Sequence, residues 1–589
     1  MSVFHNNILT GAAGQSSGGG GAGASSFVIE KSLRWHKADS AFLSKDFGSG
    51  GNRRTFTISV WVKRHLLGQN NYFIAARDGT AGENASIRIK SSTDAFYFLD
   101  QNQSTNFILL ESDAKFRDLS AWYHFVVAVD TTQGTASDRV KAYVNGVELP
   151  LTGTYPNQNH NCTISDDIQH TIGRRTKNTG AYEYGDGYLA DWYYIDGSAL
   201  DPTDFGAFDS SGVWQAAAYT GTYPGNSCHL LDFANESTIG HDSSGNNNDF
   251  SSSNFSTSAG FNNDVLFDSP TNGSQSDTGA GGEVTGNYAV INPNDQRGTD
   301  NGTISDGNLE YAQSSTGGRT LRATIGVSSG KWYWEFKHVG GNATHGIAKN
   351  SADLGSYAGT DNDGISWFVG GNIYRNGSTS TYANKTYAVN DIIGVALDMD
   401  NGTLTYYKNG SDQGTAATGL TGTWFPAFGT SNVSVVSLEA NFGQRPFAYN
   451  APSGFKALCT TNLTPSTVAD GRDYFDAKLW TGNSTDQRAI TGYQFSPDLV
   501  YIKRRNATYG GIMMDTVRGL NSGHAGVLYT NATNAEDTGA TSSIRSFNSD
   551  GFNLGTDGGI NYSGSTYVGW AWDAGSSSPS DNTDGDITS

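Results

Sequence analysis

Cysteine, basic charge and long apolar runs are all scarce in this 589-residue chain, and each scarcity removes a class of protein. The three cysteines, Cys162, Cys228 and Cys459, stand far apart. That spacing gives no CxxC pair and no disulfide framework, which is the cysteine usage of a chain made in a reducing cytoplasm. No stretch approaches the length of a membrane span. The start, MSVFHNNILTGAAG, has neither a basic segment nor an apolar run, so it does not read as a signal peptide. Lys and Arg number 37 against 57 Asp and Glu, giving a net charge of −20. A nucleic-acid binder carries a basic face. The one short basic run, IKRRN (502–506), reads instead as the solvated end of a strand. Long runs of Ala, Leu, Glu and Lys are missing, and with them the means to build many helices.

What remains is a chain of turns and strands. It holds 75 Gly and abundant Asn, Ser, Thr and Asp, while aromatics at 12% supply large side chains for true cores. TFTISVWVKR (55–64) alternates, with Phe56, Ile58, Val60 and Val62 on one face. WYHFVVAVD (122–130) is a longer apolar strand, and VKAYVNGVEL (140–149) is a hairpin turning at Asn145-Gly146. DIIGVALDMDNGTLTYYKNGSDQG (391–414) repeats that layout, with its turn at Asn409-Gly410. In SGKWYWEFKH (329–338), Trp332, Trp334 and Phe336 share one face. Lys331, Tyr333, Glu335 and Lys337 share the other, the pattern of a half-buried strand with Tyr333 partly exposed. Two blocks with one plan predict an all-β chain of tandem jelly-roll sandwiches followed by a smaller β-rich domain.

The expected organisation is an N-terminal docking peptide with a Gly/Ser linker (1–26), then a first sandwich (27–235). A Ser/Asn/Gly-rich connector running over the surface (236–300) leads to a second sandwich (301–465). A small β-rich domain (466–576) and a C-terminal linker (577–589) follow. The natural chain is expected to continue past residue 589, or to touch something at its end.

Catalytic patterns are missing too. Retaining glycanases on jelly rolls place paired carboxylates on an ExDxxE strand, and no such spacing occurs; Glu183 with Asp186 has the wrong offset, and Glu183 reads as a loop acid. GQSSG (14–18) matches GxSxG, but no strand precedes it. There is no HExxH and no His or Cys cluster with zinc-ligand spacing. DMDNG (398–402) starts like an EF-hand loop but lacks the glutamate at the twelfth position.

Ligand contacts are expected in loops on the rigid sandwiches. TGAYEYGDGY (179–188) offers Tyr182 and Tyr184; SYAGTDNDG (356–364) offers Tyr357, Asp361 and Asn362; NIYRNG (372–377) adds Tyr374. Aromatic faces stack on sugar C–H groups while Asp and Asn fix hydroxyls; ordinary loop packing is the alternative. DSSGNNNDF (242–250) gathers Asp242, Asn246, Asn248 and Asp249, oxygen donors for calcium or simply an Asx-rich turn.

GKWYWEF (330–336), DIIGVALDMDNGTLTYYKNG (391–410) and TWFPAFG (423–429), in that order, resemble a SPRY domain. FTISVWVKR (56–64), WYHFVVAVD (122–130), AYVNGVEL (142–149) and GYLADWYYIDGSAL (187–200) resemble a laminin-G-like, concanavalin A-type domain. SPDLVYIKRRN (496–506) and STYVGWAWDAG (565–575) resemble a small domain of unknown function. With the start MSVFHNNILTGAA, the whole order resembles tail-fibre-like virion proteins of marine bacteriophages, cyanophages especially. The resemblance implies a non-enzymatic protein of the virion tail, made in the host cytoplasm, that binds host-surface glycan or receptor. Laminin-G-like folds also bind calcium at a sandwich edge, although no cofactor is required. Its implied partners are other virion proteins, through the N-terminal peptide, and copies of itself, with no nucleic acid and no membrane insertion. A structural connector or decoration protein is the second expectation and a glycan hydrolase the third.

Overall fold

The computed structural model describes residues 27–575 except 78–83, 103–104, 178–179, 210–211, 225–226, 274–283, 296–301, 314–317, 383–384, 431–435, 465–467, 469 and 522. The expected docking peptide and both terminal linkers thus fall largely outside the described residues. Two compact units emerge, Met1–Ser466 and Thr467–Ser589.

The first unit holds two β-sandwiches, as the repeated layout predicts. In the first, one sheet is centred on Trp122–Asp130, Thr55–Lys63 and Gly187–Asp196. The facing sheet runs from Leu151–Thr154 through Asn106–Lys115, Ala95–Gln101, Asn84–Ile89, Asn71–Arg77 and Gln169–Ile172 to Phe42–Asp46. Phe56, Ile58, Val60 and Val62 enter the core between them. The opposite face of that strand is covered as well: Thr57, Ser59, Trp61 and Lys63 are all at most 1% exposed. The apolar content of the central strands is explained by burial on both faces. Both Asn-Gly hairpins form, with Asn145 and Gly146 at φ 49° and 77° and Asn409 and Gly410 at 47° and 76°. Two successive left-handed residues are what a type I′ turn demands.

The second sandwich pairs a seven-stranded sheet, with Lys331–Gly341 at its centre, against a six-stranded sheet ending in Gly364–Phe368, Asn372–Arg375 and Ser378–Thr381. Trp332, Trp334 and Phe336 fill its core. Tyr333, expected partly exposed, is 1% exposed. The reason is a segment that period-two reasoning cannot see. Residues 447–456 fold back over the outer face, with Phe447 edge-on to Tyr333 at 5.0 Å. Ala448 and Tyr449 donate their backbone N–H groups to the Glu335 carboxylate.

Within 236–300, the described residues do not all run over the surface as expected; 263–271 and 284–291 are largely buried. Ser251–Ser253 and Val265–Leu266 add strands to the two sheets of the first sandwich, and Tyr288, Ala289, Val290 and Ile291 belong to the second core. The same segment ties the sandwiches together. Lys63 reaches Asp268 and Asn287 at 2.7 Å each and Arg34 pairs with Asp264 at 2.8 Å; just past the segment, Asp306 pairs with Arg34 at 2.8 Å and the Gly307 carbonyl accepts from the Tyr188 hydroxyl. These charges are buried, so each needs its partner; removing one would strand the other in low dielectric. Its polar composition concealed this role, because the buried polar groups pair with each other.

The second unit has a five-stranded sheet (Phe475–Thr481, Thr566–Trp572, Leu499–Arg504, Ile512–Asp515, Leu528–Tyr529) and a three-stranded one (Arg488–Thr491, Gly551–Leu554, Ile544–Asn548). Their shared core is Trp480, Val500, Ile502, Met514, Phe552, Ile560 and Tyr567 with neighbours. Among the described residues no helix is long and apolar enough to cross a membrane.

Candidate functional site

At the margin of the first sandwich, Arg174–Thr176 and Tyr182–Tyr184 form a two-stranded ribbon, with Arg174 opposite Tyr184. The guanidinium of Arg174 lies 3.5 Å from the centre of the Phe42 ring, 4.3 Å from Tyr182 and 5.9 Å from Tyr184. The cation is buried, and ring faces supply its attraction. Tyr182 keeps 58% of its surface in solvent. Tyr182 and Tyr184 are therefore brought together, 6.3 Å apart, as one aromatic ledge.

Glu183 points to the other face of the ribbon and lies on a strand, correcting its expected place in a loop. It accepts from the Tyr72 hydroxyl at 2.7 Å, Arg175 at 2.9 Å and Asn70 at 3.2 Å. Burial pulls its pKa up, but the Tyr72 hydroxyl and the Arg175 charge more than offset this and hold the carboxyl below its ordinary range. An acid so engaged stays ionised and organises the ribbon.

The second margin is built on the outer face of the six-stranded sheet. Tyr374 stands opposite Ser366, and Phe368 follows two residues along on the same face. Tyr357, from the preceding loop, packs on Tyr374 at 4.5 Å, and Phe368 meets Tyr374 edge-on at 5.7 Å. All three rings are half-buried. Asp361 spends its oxygens on the backbone N–H groups of Asp353 and Asp363, and so shapes this loop. Asn362 is exposed beside it.

The four residues considered for calcium share one loop. Asp242 accepts from the backbone N–H groups of Leu230, Ser244 and Asn248, and Asp249 from that of Asp242. Asn246 and Asn248 donate their amides to the Cys228 carbonyl at 3.2 and 2.8 Å. The loop is thus an Asx-turn network closed onto the His229–Leu231 strand, with both Asp242 oxygens already accepting hydrogen bonds.

One further group, which sequence spacing missed, gathers donor atoms. Those of Asp100, His160 and Cys162 lie within 4.8 Å of one another. Asp100 is engaged by the Thr163 backbone and hydroxyl at 2.8 and 2.7 Å, and burial pushes the Cys162 thiol well up. A thiol kept protonated is a poor nucleophile.

Ser59 and His124 form a buried pair at 2.8 Å, but the Trp214 indole donates to the other His124 nitrogen at 2.9 Å. That places the imidazole proton on Nε2, toward Ser59, where a general base would need a lone pair. Burial further lowers the His124 pKa to about 3. Glu111 and Asp113 sit two apart on Asn106–Lys115 and share a face, yet Phe116 occupies the position of the second glutamate in ExDxxE. Lys90 pairs with Glu111 at 2.9 Å.

Known families match three stretches of the chain. Residues 38–202 match the concanavalin A-like lectin/glucanases superfamily of laminin-G type, residues 331–445 the SPRY domain, and residues 470–589 a domain of unknown function, DUF7483. Curated relatives include the ATP-dependent RNA helicase DDX1 of Xenopus laevis, 34% identical over 139 residues, 23% of this chain and 18% of the relative. Ran-binding protein 10 of Danio rerio is 28% identical over 138 residues, 22% of this chain and 23% of that protein. The chain spans about a fifth of the length of these relatives. Among solved structures, the SPRY domain of human HERC1 is similar at 19% identity and a TM-score of 0.23, covering 26% of this chain and 96% of that one. The chain carries a laminin-G-like, concanavalin A-like domain and a SPRY domain, each a jelly-roll sandwich.

Proposed function

We propose that this protein is a non-catalytic adhesin, a tail-fibre component of a virion that binds host-surface glycan through the margins of its two sandwiches. The observation that carries the reading is the pair of aromatic ledges, Tyr182 with Tyr184 and Tyr357 with Tyr374, left in partial contact with solvent at the margins of the two sandwiches. Stacking faces beside Asp and Asn side chains suit neutral sugars, and two weak sites on one chain gain by avidity. The virion setting rests on the domain order and the motifs that resemble phage tail-fibre-like proteins. The test is a glycan array probed with the wild-type chain and with Tyr182→Ala and Tyr374→Ala. Binding that both substitutions weaken supports the reading, and binding indifferent to both removes it.

A second reading is favoured by one feature of the second unit. The edge strand Phe475–Thr481 exposes Phe475 and Leu479 at 42% and 64%, beside Tyr474 at 48%. Apolar side chains on an unpaired edge suit protein contact, and so a connector role in the particle.

A further inference from the structure

The second unit contains a cleft that the proposed glycan reading does not use. It encloses about 260 Å³ between Ile512–Asp515, Leu528–Tyr529, the loop 537–543 and the residues before the short helix Gly558–Asn561. At roughly 30 Å³ per water molecule this is the volume of about nine waters, just under the range of drug-sized pockets and suited to one small ring. The floor is apolar, formed by Ile512, Val527 and Ile560, which are also core residues of this unit. The rim is polar, formed by Asp537, Thr541, Ser542, Asp557 and Tyr529.

The walls are fixed by main-chain bonds. Val527 and Asp537 exchange backbone hydrogen bonds at 3.0 and 3.2 Å, and the Asp557 N–H donates to the Ser542 carbonyl at 2.9 Å. Each carboxylate uses Oδ1 to accept a local N–H, Asp537 from Gly539 at 3.0 Å and Asp557 from Gly559 at 2.6 Å. Among the described residues no hydrogen bond reaches Oδ2 of either. Tyr529 feels both charges: burial raises its pKa, and Asp537, Asp557 and Tyr509 add to the effect.

The chemistry of the rim selects its ligand. No Lys, Arg or His lines the cleft, and two carboxylates repel phosphates, sulfates and uronates. Free carboxylate oxygens are strong acceptors for hydroxyl donors. An aromatic ring beside them offers a face to C–H groups, and the largely polar lining offers hydrogen-bonding partners to the hydroxyls of a sugar. We propose that this cleft binds a single neutral pyranose unit, with Asp537 and Asp557 accepting from its hydroxyls and Tyr529 packing against its C–H face. This site belongs to the second unit, shares no residue with either aromatic ledge, and gives the domain of unknown function a role of its own.

The test uses the full chain and saturation-transfer NMR with glucose, galactose, mannose, fucose and rhamnose as probes, each with and without calcium. At least one sugar is expected to receive saturation. Tyr529→Ala, Asp537→Asn and Asp557→Asn should each weaken its binding about tenfold or more, the cost of one lost contact of this type. The asparagines keep the Oδ1 that accepts the glycine N–H, so they decide the matter should Tyr529→Ala fail to fold. In a chain that carries both Tyr182→Ala and Tyr374→Ala, so that the ledges contribute little, saturation transfer should persist, and the cleft variants added to that chain should remove it. No transfer to any of the five sugars overturns the proposal. So does transfer that the cleft variants leave unchanged and the ledge variants abolish, a result that would still support the sandwich reading. Binding of calcium or tetramethylammonium that the asparagine variants remove, without any sugar binding, would make the cleft a cation site and also overturn it.

Discussion

The two sandwiches meet solvent through aromatic rings restrained in different ways. In the first, one buried cation gathers three rings: Arg174 sits 3.5 Å from Phe42 and 4.3 Å from Tyr182. In the second, Tyr357, Phe368 and Tyr374 hold one another, and among the described residues no cation lies over them. The difference decides how each ledge would fail. While present, Arg174 covers one face of the rings it touches and leaves the opposite faces to a ligand; removing it releases all of them at once. Removing one ring of the second ledge leaves the others in contact.

The comparison presumes that both ledges stand on complete cores, and the strongest way to break it is to attack a core. Trp334 is fully buried in the second sandwich. Trp334→Ala should cost ~3–5 kcal/mol in denaturant unfolding, as for other buried aromatics. Near-native stability would return that strand to the surface and dissolve the comparison.

The central strands of the two sandwiches offer a second contrast. Asp191 in the first and Glu335 in the second are buried carboxyls, and burial raises each to about 7. A carboxyl whose pKa is higher folded than unfolded binds more protons when folded. Its contribution is therefore most favourable below the ordinary carboxylate range, declines as pH rises to about 7 and stays level above. Asp191→Asn and Glu335→Gln should gain stability relative to wild type across that window, by on the order of 3 kcal/mol each before any lost hydrogen bond. Asp191 also holds a left-handed φ of 48°, which asparagine accepts readily, so its variant should show the larger gain. Urea titrations between pH 4 and 8 measure this, and a difference independent of pH would contradict it.

Smaller effects sharpen the contrast between the ledges. Arg174→Ala should cost ~1–2 kcal/mol of stability, the scale of a largely desolvated cation–π contact. A double-mutant cycle on Tyr357 and Tyr374 should give a coupling of about 0.5–1.5 kcal/mol. Tyr182→Ala, at an exposed ring, should change stability by no more than about 0.5 kcal/mol while weakening glycan binding. Equal stability losses at Arg174 and Tyr182 would erase the difference between a gathered and a self-packed ledge.

Much of the fold was legible because its signals are local. Alternation marked Thr55–Lys63 and Lys331–Gly341, and two Asn-Gly pairs marked their hairpins. What was not legible depends on distant segments. Tyr333 reads as partly exposed until residues 447–456 cover it, and no local signal pairs Lys63 with Asp268, which arrives from 205 positions away. In the candidate sites, Tyr182, Tyr184, Tyr357 and Tyr374 were found from loop composition. Phe42, Arg174 and Phe368, which hold them in place, were not. Phe368 could have been found from period two after Ser366; Phe42 and Arg174 meet only in three dimensions.

The central claim is recognition without cleavage, and one assay addresses both halves. The purified chain is incubated with a panel of bacterial envelope polysaccharides, then retention on the polymer and new reducing ends are measured together. The account predicts retention that Tyr182→Ala and Tyr374→Ala diminish, with no rise in reducing ends over time. Reducing ends that accumulate with enzyme-like time dependence, or no retention on any polymer, would contradict it.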